Sequence, residues 1–318
     1  MKKAIIIGGT GLMGPHLIKE LQDLNIETIC INRSGKHPFG GKSYVCDRNN
    51  IEVMMKIFDE QNDFILFDMI PFTAVNAGIV ILALNGKQPP MICASSCDVY
   101  EAYNILHNKS IGLQNTPLTE LSKTRDRISF QGSGYDKLNI ERIYLSYFDC
   151  CAIVRLPAIY GLPDTNRIYQ YLQKICYNKF TLNSGFAHWR FSRSSNINCA
   201  YGLSLCVKNT NRNIYNISEK EYYSEIEWTD KIHKLGGYSP NIILDDKIEI
   251  PYNMNINQNL IIDSSKIRNE LGYHEKYDVN NSIIEVIDFY KKSAQQGDAP
   301  EPATNAIPAS QHSIPPAR

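Results

Sequence analysis

Short apolar runs alternate with stretches of helical period through the first half of the chain. Ala4 to Ile7 is an unbroken apolar run, followed by a glycine-rich turn and a helical pattern through Leu12, Leu17, Leu21 and Leu24. Ile26 to Ile31 and Tyr44 to Cys46 predict the next two strands, and Ile51 to Phe58 a helix. Phe64 to Ile70 predicts a buried strand, Ala74 to Leu84 a helix, and Met91 to Ala94 a fifth strand. A helix through Leu138 to Tyr147 then leads to a strand at Cys151 to Leu156. Strand, helix and strand repeated in this way, with largely apolar strands, predict a parallel sheet covered by helices on both faces.

After Leu156 the pattern loosens. Ile168 to Cys176, Asn198 to Val207, Ser224 to Leu235, Ser264 to Leu271 and Val279 to Tyr290 carry helical periods, and Asn213 to Ile217 reads as a strand. The expected fold class is α/β: a Rossmann-type doubly wound parallel sheet with a smaller mixed α/β C-terminal substrate domain. Residues 1–157 are expected to form a dinucleotide-binding domain, its sheet completed by segments of the C-terminal half. Residues 158–293 are expected to form the substrate-binding region. Residues 294–318 hold five prolines, six alanines and no aromatic residue. Such a segment cannot bury enough apolar surface to fold, so it reads as a disordered tail or an appended extension.

Composition narrows the classes. The 318 residues carry 33 basic and 33 acidic side chains, and a zero balance disfavours a nucleic-acid partner. No apolar run approaches the roughly 18 to 20 residues of a membrane span, so a cytoplasmic location is expected, with no membrane partner. The nine cysteines are odd in number and contain no Cys-x-x-Cys pair, which suits reduced, buried thiols. No His and Cys grouping has zinc spacing, and no metal is expected.

The chemistry is expected at Gly8-Gly9-Thr10-Gly11-Leu12-Met13-Gly14, between the first strand and its helix. Gly8 permits a tight turn, Gly11 lets backbone approach a pyrophosphate, and Gly14 allows the helix to pack closely on the strand. The phosphate would sit where free N–H groups and the helix dipole favour anions. Pro15 is tolerated there because an amide of the first turn has no partner inside the helix. At the end of the second strand, Asn32-Arg33-Ser34 stands where an NAD-binding carboxylate would be. No acid is present to repel a 2′-phosphate and Arg33 can pair with one, so NADP(H) is expected in preference to NAD(H), which stays possible. Asp47 is placed to meet an adenine amino group, or is an ordinary strand-end carboxylate.

These segments together resemble the short-chain dehydrogenase/reductase superfamily, in its extended epimerase and dehydratase branch. The resemblance spans roughly residues 1–292 and rests on motifs in order. They are Ser95-Ser96-Cys97-Asp98-Val99-Tyr100, Arg155-Leu156-Pro157-Ala158-Ile159-Tyr160-Gly161, Tyr215-Asn216-Ile217, and Asp263-Ser264-Ser265-Lys266 with Leu271-Gly272-Tyr273. It implies a nicotinamide dinucleotide held by Gly8, Thr10, Gly11, Leu12, Met13, Gly14, Asn32, Arg33, Ser34, Asp47, Lys137 and Pro157. It implies a polar small-molecule substrate, such as a nucleotide sugar, and a possible homodimer.

In that family a Ser or Thr, a Tyr and a Lys exchange the proton that accompanies hydride transfer. Ser96 matches the first. The Tyr-x-x-x-Lys pattern is broken at Ser133-Gly134-Tyr135-Asp136-Lys137-Leu138-Asn139-Ile140-Glu141. If Tyr135 is the family Tyr, Asn139 takes the Lys place. If Lys137 is the family Lys, Glu141 falls into its usual place and Ser133 replaces the Tyr. The second register keeps the charge, and Lys137 and Glu141 would then form an i,i+4 pair. On a regular helix Tyr135 and Lys137 point roughly 200° apart, so both reach one cleft only if Tyr135 precedes the helix.

The expected catalytic residues are therefore Ser96, Tyr135 and Lys137, with Ser96, Asp98, Trp189 and Arg190 toward substrate. Arg193 and the basic stretch Lys123, Arg125 and Arg127 add nearby cations. The segment Gly134-Tyr135-Asp136-Lys137 and Asp68-Met69-Ile70 resemble an atypical subgroup, which keeps a second reading open: a dinucleotide-binding sensor or scaffold without turnover.

Overall fold

The computed structural model describes residues 2–126, 135–163, 167–175, 180–209, 211–239 and 241–295. The first half builds β1 (Lys3–Ile7), α1 (Gly14–Asp23), β2 (Glu27–Asn32), β3 (Lys42–Val45), α2 (Ile51–Asp59) and β4 (Phe64–Asp68). It continues with α3 (Ala74–Leu84), β5 (Met91–Ser96), α4 (Glu101–Leu106), α5 (Lys137–Tyr147) and β6 (Cys151–Leu156). The first helical pattern starts later than its leucines suggest. Leu12 stays in the glycine turn because the helix opens only at Gly14, and Leu24 is its C-cap.

The second half contains β7 (Ala158–Tyr160), α6 (Tyr169–Ile175), β8 (Phe180–Leu182), α7 (Ser184–Ala187), β9 (Arg190–Phe191), β10 (Arg193–Ser195) and α8 (Asn196–Leu205). It ends with β11 (Arg212–Asn216), β12 (Tyr223–Ser224), α9 (Glu225–Leu235), β13 (Ile242–Leu244), α10 (Ser265–Leu271) and α11 (Val279–Gln295). Helix α11 runs two residues into the segment expected to be a tail; residues 296–318 lie outside the described residues. The short strands β7 to β10, β12 and β13 were not legible as strands, because two or three residues carry no period.

Seven strands form one parallel sheet in the order β11-β6-β5-β4-β1-β2-β3. The alternation within β1 explains both layers. Ala4 and Ile6 pack with Leu17 of α1 and Leu203 of α8, whereas Ile5 and Ile7 pack with Phe58 of α2, Val80 of α3 and Ile140 of α5. Both faces are covered, so every residue from Ala4 to Ile7 is buried. Strand order reverses between β1 and β4, and the loops there share one sheet edge. The register pairs Ile7 with Asp68 and Asp68 with Cys93, which brings the glycine turn and the end of β5 to that edge. This is the position where open α/β sheets bind ligands.

A separate core around Trp189, Trp228, Tyr160, Phe180 and Ile283 organises the second half, which is held by the two-stranded pairs β7–β10, β8–β13 and β9–β12. Among the described residues no helix is long and apolar enough to cross a membrane.

Candidate functional site

The glycines of the first turn differ in what surrounds them. Gly8 has φ +90°, a conformation that side chains rarely adopt, and its amide bonds the Ile31 carbonyl at 3.0 Å. A Cβ on Gly14 would lie 2.2 Å from the Gly9 carbonyl oxygen, so the helix start is pressed against the turn itself rather than against the strand. A Cβ on Gly11 would meet nothing closer than the Gly8 oxygen at 3.7 Å. Gly11 and Thr10 are exposed, Leu12 is half-buried and Met13 is buried. The space over Gly11 is thus open at the start of α1, where helix amides attract anions.

Asn196, the N-terminal residue of α8, fastens this turn to the second half. Its amide donates to the Leu12 carbonyl at 3.1 Å and to the Leu162 carbonyl at 2.8 Å.

At the end of β2, Asn32 folds the loop over itself. Its side chain donates to the Lys36 carbonyl and accepts from Ser34 and from the Lys36 amide. Asn32 is therefore a buried loop-former, while Arg33 beside it is exposed. Asp47 is also exposed and accepts from the Asn49 amide.

Four of the expected site residues meet where β5 ends and α5 begins. Ser96 Oγ accepts from the Asp98 amide at 3.2 Å and caps the turn Cys97–Val99. Asp98 is buried, and its Oδ2 accepts from the Tyr135 hydroxyl at 2.9 Å. Asp136 is the N-cap of α5, accepting from the Asn139 amide, so Tyr135 precedes the regular helix. That placement lets Tyr135 and Lys137 sit at one edge despite their spacing. Burial first, and Asp98 second, push the Tyr135 phenol far up.

Lys137 is buried and donates to the Ala94 carbonyl at 3.0 Å, with its ammonium 5.3 Å from the Phe72 ring centre. Burial pulls its pKa down, against the opposing pull of Cys93, Asp68 and Asp98. Ser133 and Arg127 lie outside the described residues.

Three expectations are corrected here. Lys137 and Glu141 do not form a pair: Glu141 accepts from Arg155 Nη2 at 2.7 Å and from Ser95, because α5 docks its inner face on β5 and β6. Arg125 is not a cation offered to a substrate; it is fully buried, with Nη2 3.8 Å from Asp98 Oδ1. Trp189 is not a cleft wall. It is buried between Phe186 and Phe191, and its indole N–H is bonded to the Gln258 carbonyl at 2.8 Å.

Arg190 is half-exposed and holds Glu227 through two hydrogen bonds. It lines a groove of about 730 Å³ with Lys220, Tyr223, Asp230 and Lys231, and neither Ser96, Tyr135 nor Lys137 belongs to that lining. Arg193 is buried between the Phe191 and Trp228 rings and paired with Glu225. Pro157 is buried between β6 and β7.

Two buried networks were not anticipated. Arg48 clasps Asp68 at 2.7 and 2.9 Å, and Tyr144 of α5 donates to the same carboxylate at 2.6 Å. Arg155 joins Glu141 to Tyr100, whose hydroxyl donates to Asn216 at 2.6 Å; Asn216 in turn donates to the Leu118 and Asp263 carbonyls. Ser95, Tyr100, Arg155, Asn216 and Asp263 are residues of the quoted motifs. Their motif spacing was the available signal, and the structure explains it as one scaffold linking both halves beneath the site.

No family model and no curated protein sequence matches the chain. Solved structures do. The UDP-glucose 4-epimerase of Thermotoga maritima, with UDP-glucose, is 12% identical at TM-score 0.70, over 92% of this chain and 99% of that chain. The dTDP-glucose 4,6-dehydratase of Bacillus anthracis, in complex with NAD, is 14% identical at TM-score 0.70, over 93% and 98%. The UDP-glucose 4-epimerase of Bifidobacterium longum, with NAD+ and UDP, is 14% identical at TM-score 0.67, over 93% and 99%. At such identities the likeness is one of fold. The chain has the fold of these epimerases and dehydratases, the architecture of the extended short-chain dehydrogenase/reductase branch that its motifs resemble.

Proposed function

We propose that the protein is a nicotinamide-dinucleotide-dependent oxidoreductase or epimerase of the extended short-chain type, acting on a nucleotide sugar or a similar polar molecule. The observation that carries this reading is the exposed Gly11 cradle standing at the same sheet edge as Ser96, Tyr135 and Lys137. Gly8, Gly11 and Gly14, with Thr10, Leu12 and Met13, would hold the pyrophosphate. Asp47 would face the adenine, with Lys137 and Pro157 toward the ribose and nicotinamide. When bound, the dinucleotide supplies a hydride acceptor or donor. The chain supplies the rest. Ser96 polarises a substrate oxygen, Tyr135 exchanges its proton, and Lys137 stands at the same edge, toward the ribose.

Titration of the protein's fluorescence with NADPH and NADH, with mass spectrometry of any copurifying ligand, tests the reading. Exposed Arg33 favours NADP(H). Arg33→Ala is expected to weaken NADPH about tenfold, roughly 1.4 kcal/mol, and leave NADH unchanged. Equal affinity of the native chain for the two cofactors would refute the Arg33 argument. Tight binding without any hydride exchange would favour the sensor reading. Val75 and Leu82 are exposed on α3 beside α5, which supports a homodimer formed through that face.

A further inference from the structure

The hydroxyl of Tyr135 has one hydrogen, and it is directed at Asp98 Oδ2. What the phenol can offer a substrate is therefore an acceptor oxygen. Lys137 donates instead to the Ala94 carbonyl. The arrangement is the reverse of a phenolate stabilised by an adjacent lysine. Asp98 is itself enclosed: Arg125 approaches from the segment after α4, Ser96 Oγ holds its amide, and Cys97 adjoins it. Lys137 on α5 and Tyr103 on α4 act on it electrostatically, and Arg167 acts on Tyr103. Phe72 closes the side next to the Tyr135 ring, 6.4 Å between centres.

We propose that Asp98 is the proton acceptor behind Tyr135, so that proton exchange with a substrate hydroxyl runs through a neutral phenol into a buried carboxylate. The proposal rests on the hydride-transfer reading above. In the oxidative direction the substrate O–H bond breaks and its proton bonds to Tyr135 Oη. The Tyr135 O–H bond breaks in the same movement and its proton bonds to Asp98 Oδ2. The carbinol C–H electron pair leaves as hydride to an oxidised nicotinamide dinucleotide, and a carbonyl forms. Reduction runs each transfer backwards, with Asp98 starting protonated. Arg125 Nη2 stands 3.8 Å from the other carboxylate oxygen, and the Ser96 bond to the Asp98 amide fixes its place.

Two spectroscopic readings on the full chain test the proposal without turnover. With tyrosine labelled at Cζ, and Tyr135→Phe identifying the resonance, the Tyr135 signal is expected to stay that of a phenol between about pH 6 and 10. With aspartate labelled at Cγ, and Asp98→Asn identifying the resonance, the Asp98 signal at neutral pH is expected to shift in Tyr135→Phe, because its hydrogen-bond donor is gone. Ionisation of Tyr135 below about pH 10, or an Asp98 resonance unmoved by Tyr135→Phe, overturns the proposal.

Asp98→Asn retains an acceptor for the phenol but cannot take its proton. NADPH-dependent reduction of phenanthrenequinone is expected to fall at least about a hundredfold in this variant, with NADPH affinity within about threefold of the native chain. A variant as fast as the native chain overturns the relay while leaving the enzyme reading intact. Failure of the native chain to bind either dinucleotide overturns the enzyme reading, and the relay with it.

Discussion

Gly11→Ala and Gly14→Ala add the same methyl group to one turn and are expected to do opposite things. At Gly14 the new carbon would stand 2.2 Å from the Gly9 oxygen and 2.4 Å from its carbonyl carbon, against an ordinary contact of 3.4 Å or more. Both neighbours are backbone, and the turn is pinned by the Gly14 amide on Gly11 and by Asn196 on Leu12. The clash must move α1 or the turn. Overpacking of this kind costs about 1–3 kcal/mol, which lowers the melting temperature by roughly 2–10 °C for a chain of this size. At Gly11 the methyl enters open space, so stability is expected to stay within about 0.5 kcal/mol. The same methyl stands where a pyrophosphate would approach the backbone. NADPH affinity is therefore expected to fall at least about tenfold, 1.4 kcal/mol. Thermal unfolding of both variants, beside a fluorescence titration with NADPH, separates the two roles. Undiminished NADPH affinity in Gly11→Ala refutes the cradle, and native stability in Gly14→Ala refutes the close approach.

Two further predictions concern buried charge. Arg155→Ala leaves Glu141 buried without its cation and is expected to cost about 3–5 kcal/mol in denaturant unfolding; adding Glu141→Leu should recover part of it, and strictly additive losses would show that the pair is not coupled. Glu219 is buried, accepts from Tyr160 and from the Ser195 amide, and has its carboxyl pushed up to about 7 by burial. The native state then holds a proton that the unfolded chain releases above its ordinary value. Stability from this group is full at low pH and is lost as pH rises toward about 7, by about 3 kcal/mol at most. Urea unfolding at pH 5 and pH 8 should give a smaller difference for Glu219→Gln than for the native chain; identical differences would remove Glu219 as the cause.

Most of the strand and helix alternation in residues 3–156, though not α4, was legible because covered parallel strands are largely apolar and their helices have a longer period. The glycine turn was legible for the same local reason, since a tight turn and a helix start leave marks within seven residues. The partners of the charged side chains left no such mark. Glu141 stands four residues from Lys137, which suggests a pair, yet it takes Arg155 from the neighbouring strand. Arg125 and Arg193 read as free cations in sequence, and folding buries each against a carboxylate from another segment.

By itself, the sequence determined the sheet, the edge at which a ligand would lie, and the glycines that shape it. Only the tertiary structure decided that Tyr135 leads the helix and donates to Asp98, because that contact joins residues from two loops. Hydrophobic period is a local property, repeated along the chain and readable anywhere. A buried charge must find its counterion wherever the fold brings one, and that depends on the register and docking of elements far apart in sequence.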